Sequence, residues 1–264
     1  MRPELTTQQH KQIAEDLYRA EKTLVTIPKL ADAYPDINIV DSYTIQQLGL
    51  EKKLKDGCRI IGRKIGLTSK GMLEQLGADQ PDYSYLLDYM LIPEGSPAKM
   101  GQLISPRIEG EIAFIMGEDL EGPGVTPADV QNATAWVVPC FEICDCRYVD
   151  WKVGVRDTIA DMAGASRFMI GSGAKRPNEV NLRNIGMIVE KNGELVGTAA
   201  GAEVMGSPLN SMAWLANKLA EFDTGLKKGD IVLSGSFIKA FPAAAGDVFV
   251  LSVDGFPSVT MRFE

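Results

Sequence analysis

The chain has 264 residues, of which 45% are hydrophobic and 23% charged, a composition typical of a globular protein with a substantial core. Its formal net charge of −8 disfavours nucleic acid and anionic membranes as partners, because both would repel it on average. No apolar run approaches the roughly 20 residues that span a bilayer, and the polar N-terminus is unlike a signal peptide. We therefore expect a cytoplasmic protein with reduced cysteines.

Helical patterns occupy the first third of the chain. Three helices are predicted there: residues 8–24, capped by Thr6 or Thr7; residues 42–56, capped by Asp41 and ended by Gly57; and residues 70–76, capped by Ser69 and ended by Gly77. The segment 27–40 contains two prolines and is predicted to be extended.

The first helical pattern contains His10, the single histidine of the sequence. Serine–histidine triads, imidazole zinc sites and histidine acid–base catalysis would all depend on this residue. A solvated position on the helix surface is expected for it. Catalysis is therefore expected to use carboxylates, lysine, tyrosine or a metal ion.

From about residue 100 the sequence turns mostly to short apolar runs typical of strands. Strands are predicted at 111–117, at 135–145 after a helix at 126–134, in a hairpin at 185–199, at 230–236 and in a final pair at 247–264, with a helix at 207–222. We predict an α+β protein, with a helical N-terminal region at 1–57 that is continuous with a β-rich catalytic body at 58–264.

Arg63 and Lys64 are adjacent between apolar residues and glycines. If this segment is a strand, one side chain faces the core and the other faces solvent. A half-buried Lys64 near carboxylates would serve as a proton donor or acceptor, or as an anion anchor. The alternative is a pair of ordinary surface bases. Asp82 and Asp161 lie in two further polar motifs. For each of them a helix cap, a solvated surface position and a functional role stay open as alternatives.

Glu109 and Glu111 lie in an apolar run that is typical of a buried strand. Because alternate side chains of a strand share a face, both carboxylates are expected to point the same way. A neighbouring apolar run supplies a third acid, Glu142. Three carboxylates without a histidine favour a hard cation such as Mg²⁺ or Mn²⁺ over zinc. The alternative places the glutamates on the wet face of an edge strand, paired with Arg107 or Arg147.

Cys140, Cys144 and Cys146 would share a strand face with Glu142. The spacing lacks a fourth ligand for zinc or an iron–sulfur cluster, so small buried hydrophobic side chains are expected instead. The glycine patterns "GSGAK" and "GPGV" lack the strand–loop–helix order of a phosphate-binding loop. A nucleotide site is therefore not expected.

Taken together, these motifs resemble a family of enzymes of aromatic meta-cleavage pathways. The motifs that carry the resemblance are "GRKIGLTS", "PRIEGEIAF", "VVPCFEICDCR", "DTIAD", "VEKNGELV", "MAWLANKLA" and "LKKGDIVLSGS", in this order. The chain resembles the 2-hydroxypenta-2,4-dienoate (2-oxopent-4-enoate) hydratases, the longer-chain 2-oxohept-3-ene-1,7-dioate hydratases and the 4-oxalocrotonate decarboxylases. The resemblance runs from about residue 30 to the C-terminus.

The resemblance implies a fumarylacetoacetase-like fold, a mixed β-roll body preceded by helices and assembled as a homo-oligomer, with a sister decarboxylase or hydratase as a further partner. It also implies Mg²⁺ or Mn²⁺ as cofactor and a small 2-oxo or 2-hydroxy-dienoate acid as substrate. The implied residues are Glu109, Glu111 and Glu142 for the metal, Lys64 and Asp82 for catalysis, and Asp161, Ser166 and Ser236 for substrate binding.

The implied reaction is the hydration of a 2-hydroxy-2,4-dienoate to a 4-hydroxy-2-oxoacid. The alternative is decarboxylation of 4-oxalocrotonate (2-oxo-3-hexenedioate), towards which the motif "SRF" leans, and a third possibility is a catalytically silent partner subunit. The family usually reads "ADNAS" where this chain has "ADMAG", so Met162 replaces an amide and Gly164 a small side chain. These departures put the substrate preference in question.

Overall fold

The computed structural model of the protein describes residues 2–264. Its helices are α1 (Thr7–Thr23), α2 (Leu30–Ala33), α3 (Ile39–Lys55), α4 (Lys70–Leu76), α5 (Pro127–Ala133), α6 (Val155–Ala160) and α7 (Pro208–Ala220). Across the described residues, none of these helices is long and apolar enough to cross a membrane.

The strands are β1 (Ile60–Gly66), β2 (Asp82–Leu87), β3 (Arg107–Met116), β4 (Thr134–Cys144), β5 (Ala165–Ile170), β6 (Gly186–Lys191), β7 (Glu194–Ala200), β8 (Ile231–Leu233), β9 (Phe241–Pro242), β10 (Val248–Val253) and β11 (Val259–Arg262). The helical start followed by a strand-rich body confirms the predicted α+β class. The division at residues 57 and 58 stays a prediction.

Two sheets form the body. The larger sheet has the order β2-β1-β8-β3-β4-β5, with β9 pairing with one end of β3. Strands β1 and β8 run parallel, and the other neighbours in this sheet run antiparallel. The smaller sheet has the order β11-β10-β6-β7 and is antiparallel throughout.

The main core lies between one face of the larger sheet, the smaller sheet and α7. Its members include Ile112, Phe114, Phe141, Met187, Leu251, Met212 and Leu215. Gly110 of β3 faces this core, where an added Cβ would lie 2.9 Å from Sδ of Met187 and 3.2 Å from a methyl carbon of Leu251. The sheets therefore approach too closely for a side chain here, while the residues on either side of Gly110 point to the opposite face.

Several predicted boundaries are confirmed. The Thr6 side chain caps α1, and the Ser69 side chain caps α4, which ends at Gly77 with φ of 64°. The β6–β7 hairpin turns at Asn192 and Gly193, with φ of 54° and 83°. Such left-handed backbone at both positions matches the Asn-Gly signal for a two-residue hairpin turn.

Two predictions for the N-terminal region are wrong. Helix α3 begins after Asn38, whose side chain caps it, so Asp41 is the third residue of the helix rather than its cap. The segment 27–40 contains α2 instead of being extended throughout. The buried carboxylate of Asp157 accepts the backbone N–H of Leu30 at 2.7 Å, which stabilises the first turn of α2.

The expectation of a solvated His10 is also wrong. Its side chain is buried, with Nε2 located 2.7 Å from Oδ1 of Asp41. Asp41 also accepts the backbone N–H groups of Leu5 at 3.1 Å and Asn38 at 3.0 Å. Burial opposes its ionisation, but the hydrogen bonds from Asn38, His10 and Leu5 outweigh burial and hold the pKa of Asp41 below its ordinary value.

Asp41→Asn is expected to destabilise the protein at pH 7 by roughly 2 kcal/mol, because a buried carboxylate loses charge-assisted hydrogen bonds. A carboxyl whose folded pKa is lowered stabilises the fold above its unfolded pKa, and this contribution disappears as pH falls through the folded value. The difference between variant and wild type should therefore shrink below about pH 4. Urea unfolding across this range measures it, with exposed Asp36→Asn as the control. A difference that does not change with pH would contradict the account.

Candidate metal and catalytic site

The three glutamates lie on one face of the larger sheet, opposite the main core. Glu109 of β3 and Glu142 of β4 are direct partners across the antiparallel pair, and Glu111 pairs with Cys140. Glu111 is 0% exposed and Glu142 is 1% exposed. Glu109 is half-buried. Because Glu111 and Glu142 are shielded from solvent, the wet-face alternative is wrong for these two glutamates.

The two arginines of that alternative are engaged elsewhere. Arg147 is buried and contacts Asp161, with Nε at 2.5 Å from Oδ1 and Nη2 at 2.6 Å from the backbone oxygen. The guanidinium of Arg107 lies over the ring of Trp151, at 4.5 Å from its centroid. Neither arginine forms an ion pair with the glutamates within residues 2–264.

Lys64 of β1 approaches the same carboxylates from across the sheet. Its Nζ lies 3.2 Å from Oε1 of Glu142, an ion-pair distance, and its side chain is buried. Arg63 is also buried, with its guanidinium 4.3 Å from the ring centroid of Tyr85 and donating to the backbone oxygen of Gly62. The expectation that Arg63 and Lys64 are ordinary surface bases is therefore wrong. The expectation that one of the two side chains faces solvent is wrong as well.

Asp82 belongs to β2, a strand that local sequence patterns did not predict. Its backbone partner on β1 is Gly66, and its side chain is 2% exposed. A Cβ added to Gly66 would lie 2.2 Å from Oδ1 of Asp82 and 3.3 Å from Nζ of Lys64. Glycine at position 66 therefore leaves free the space that the carboxylate of Asp82 and the ammonium of Lys64 both approach.

Burial and mutual repulsion dominate the electrostatics of the acids. Burial, followed by the charge of Glu142, raises the pKa of Glu109 to about 7. The same two causes raise the pKa of Glu111 well above its ordinary value. Burial raises the pKa of Asp82 to about 6, against the opposing effect of Lys64. For Lys64, burial acts to lower the pKa, but the charge of Glu142 outweighs it and holds the pKa well above the ordinary value.

Several acid oxygens of this site have no hydrogen-bond partner in the described part of the chain. They are Oε1 of Glu111, Oδ1 of Asp82 and both oxygens of Glu142, of which Oε1 has the ammonium of Lys64 at 3.2 Å and Oε2 has no cation beside it within residues 2–264. The second oxygen of Glu111 accepts the backbone N–H of Gly235 at 2.8 Å. Buried carboxylate oxygens without partners are strongly unfavourable unless a cation compensates them, so the donor set fits a divalent ion.

Glu109, Glu142 and Cys144 form a tighter set, whose ligand atoms all lie within 4.8 Å of one another. Burial, and then the charge of Glu109, raise the pKa of the Cys144 thiol well above its ordinary value. A protonated thiol is a poor metal ligand, so the donors that fit are oxygens, which Mg²⁺ and Mn²⁺ prefer. Cys140, Cys144 and Cys146 are buried and unoxidised, consistent with small apolar side chains.

Two of the three residues expected to bind substrate have other side-chain contacts. Asp161 lies in the buried pair with Arg147. Ser166 is buried in β5, and the hydroxyl of Ser236 donates to the backbone oxygen of Ile238 at 2.5 Å. Their substrate contacts stay predictions.

Met162 and its neighbours adopt a left-handed backbone. Met162, Ala163 and Gly164 have φ values of 54°, 50° and 72°. The Met162 side chain is buried in an apolar cluster that includes Leu86 and Phe168. Methionine therefore extends the apolar packing beside the site, where the related pattern has a polar amide.

The comparisons with known proteins agree with this site and fold. Residues 80–264 match the model of the fumarylacetoacetate (FAA) hydrolase C-terminal family. The chain is 42% identical, over 94% of both chains, to a 2-hydroxyhexa-2,4-dienoate hydratase of Comamonas testosteroni. It is 47% identical, over 80% of this chain and 96% of the relative, to a 2-hydroxypent-2,4-dienoate hydratase of Pseudomonas putida.

A solved structure of 4-oxalocrotonate decarboxylase from Pseudomonas putida G7, complexed with magnesium and adipate, is 36% identical and superimposes with a TM-score of 0.97 over 100% of both chains. The same enzyme has also been solved with calcium and acetate. These similarities cover the N-terminal helices as well as the β-rich body. The chain therefore belongs to the fumarylacetoacetate hydrolase family, in the group that contains the 2-hydroxydienoate hydratases and the 4-oxalocrotonate decarboxylases.

Proposed function

We propose that the protein is a divalent-metal-dependent lyase that adds water to 2-hydroxy-2,4-dienoates and yields 4-hydroxy-2-oxoacids in aromatic meta-cleavage catabolism. The observation that carries this proposal is the cluster of half-buried Glu109 with buried Glu111 and Glu142 beside Lys64, with acid oxygens that have no hydrogen-bond partner among residues 2–264. The similarity to two hydratases, at 42% and 47% identity, supports hydration as the reaction.

Glu109, Glu111 and Glu142 would hold Mg²⁺ or Mn²⁺. When bound, the ion supplies electrophilic stabilisation for negative charge at the C2 oxygen of the substrate. The arrangement of the glutamates on rigid paired strands keeps their oxygens in place without a ligand. The ammonium of Lys64 then compensates part of the acidic charge that remains in this buried site.

Lys64 and Asp82 are the groups that handle protons. The dienol loses its hydroxyl proton and takes a proton at C5, which gives the 2-oxo-3-enoate. Water then adds with its oxygen at C4 and a proton at C3. The protonated Lys64 Nζ is suited to anchor the substrate carboxylate or to deliver a proton. Asp82, with a pKa of about 6, is suited to exchange protons near neutral pH.

Decarboxylation of 4-oxalocrotonate is the second candidate, supported by the structural match to that decarboxylase. Loss of the distal carboxylate as CO₂ leaves a dienolate with its charge at the same C2 oxygen. The test incubates the protein with 2-hydroxypenta-2,4-dienoate and follows dienol absorbance, beside 2-oxohex-3-enedioate with capture of CO₂. We expect hydration of the first substrate to dominate. No turnover of either substrate, with or without Mg²⁺ or Mn²⁺, would contradict both candidates.

A homo-oligomer is the proposed assembly, with a sister enzyme of the same pathway as a further partner. Two exposed apolar side chains on the smaller sheet, Ile188 at 45% and Leu195 at 63%, support a surface that a second copy covers. Light scattering of the purified protein measures the assembly.

Binding of Mn²⁺ is expected to release protons and to tighten as pH rises from about 6 to about 8. The reason is that protons on Glu109, whose pKa is about 7, and on Glu111 must leave before the oxygens bind a cation. A raised carboxyl pKa favours the neutral folded form, so the metal-free protein should also lose stability as pH rises through about 7.

Isothermal titration calorimetry in two buffers of different ionisation enthalpy measures the number of protons released when Mn²⁺ binds. An affinity that is independent of pH, with no protons released, would contradict the proposed ligand set.

A further inference from the structure

Strand β2 carries a second polar side chain beside the catalytic pair. Ser84 is the direct partner of Lys64 in the antiparallel β1–β2 pair, and Asp82 is the partner of Gly66. The register between these residues is regular, so the side chains of Ser84, Asp82 and Lys64 share one face. Ser84 therefore lies on the site face, one residue pair along the strands from Asp82.

The hydroxyl of Ser84 is buried without a partner. Ser84 is 0% exposed, and its Oγ has no hydrogen bond within residues 2–264, as is also true of Oδ1 of Asp82. An unpaired buried hydroxyl is unfavourable, because it has lost its hydrogen bonds to water and gained none in the protein. Alanine would avoid this penalty, so packing alone does not account for serine at this position.

The two unpaired atoms belong to side chains two residues apart on the same face of β2. A buried water needs at least two polar partners, and Ser84 Oγ and Asp82 Oδ1 supply them.

We propose that the Ser84 hydroxyl positions the water that adds to the substrate. Ser84 is then a residue that hydration requires and decarboxylation does not, because decarboxylation consumes no water. This inference rests on the proposed hydratase function. With Ser84 donating to the water oxygen, one water proton points to Asp82. The water oxygen then bonds to C4 as the electron pair of the C3=C4 double bond shifts towards the C2 oxygen, and the water proton passes to Asp82. C3 later takes one proton from Asp82.

The test compares Ser84→Ala with wild type in D₂O containing Mg²⁺ and 2-hydroxypenta-2,4-dienoate, followed by proton NMR. Ketonisation places deuterium at C5, and hydration gives the 4-hydroxy product. In Ser84→Ala we expect ketonisation to continue and hydration to fall at least about tenfold, so that 2-oxopent-3-enoate accumulates. The melting temperature should stay unchanged or rise, because no hydrogen bond is lost.

Ser42→Ala is the matched control, since Ser42 is also 0% exposed but its hydroxyl donates to the backbone oxygen of Asn38 at 3.0 Å in α3. The Ser42→Ala variant should keep the wild-type ratio of hydration to ketonisation and lose some stability. Ser84→Cys, of nearly the same size, replaces the alanine variant if that variant does not fold.

Two results would overturn the inference: an unchanged ratio in the Ser84 variants, or equal loss of both steps together with a lower melting temperature. If wild type catalyses neither step with Mg²⁺ or Mn²⁺, the proposed function itself is wrong, a result distinct from failure of the Ser84 inference.

Discussion

Glu142→Gln is expected to reduce metal-dependent turnover by about 10³-fold or more, because loss of one anionic ligand removes several kcal/mol of stabilisation for the charged transition state. Glu142 lies at the centre of the cluster, opposite Glu109 and 3.2 Å from Nζ of Lys64. It is also the charge that most raises the pKa values of Glu109 and Glu111 after burial itself.

The same substitution is expected to remove most of the stabilisation that Mn²⁺ gives the folded protein. In the metal-free protein its two effects oppose each other, because the neutral amide removes repulsion from the neighbouring carboxylates but also takes the nearest anion away from the Lys64 ammonium. Thermal melts with and without Mn²⁺ measure this effect: wild type should gain stability with the metal, and the variant should gain little. Exposed Glu118→Gln is the control. A variant that keeps both turnover and the metal-induced shift would show that Glu142 is not a ligand.

Lys64→Met is expected to lower turnover by about 10²- to 10⁴-fold, the range for loss of a positioned acid or base, while metal binding remains. Methionine has a similar length but no charge, so Glu142 loses its nearest cation. Removing one partner of a buried ion pair destabilises the metal-free protein by about 3–5 kcal/mol. Metal affinity should stay the same or rise, because the ammonium no longer competes for Glu142.

Calorimetry with Mn²⁺ and the dienol assay together separate these effects, with exposed Lys70→Met as the control. Loss of metal binding together with turnover would mean that Lys64 supports the metal site rather than the proton transfers. Full activity would remove Lys64 from the catalytic mechanism.

Local sequence patterns predicted the structural features that depend only on residues close to one another in the chain. The alternation of β3 placed Glu109 and Glu111 on one face, and the spacing of apolar residues predicted α7. The hairpin turn at Asn192 and Gly193 followed from the left-handed backbone that this pair adopts. The family resemblance then indicated the overall fold, which local patterns do not contain.

Contacts between distant segments were not predictable in this way. The approach of Lys64 to Glu142 depends on the strand order β1-β8-β3-β4, in which β8 comes from residues 231–233, late in the chain. His10 is buried because Asp41, on another helix, accepts its hydrogen bond. Arg63 is buried because the ring of Tyr85 covers it from the neighbouring strand. In each case tertiary packing outweighs the polar character of the residue.

The central claim is that Glu109, Glu111 and Glu142 hold a divalent metal ion. Anomalous diffraction from crystals soaked in Mn²⁺ tests it most directly, because the signal identifies the ion without reference to activity. We predict one strong anomalous peak within bonding distance of oxygens from these glutamates, and its absence in crystals of Glu142→Gln. A peak only at other positions, or none between these carboxylates at saturating Mn²⁺, would contradict the claim.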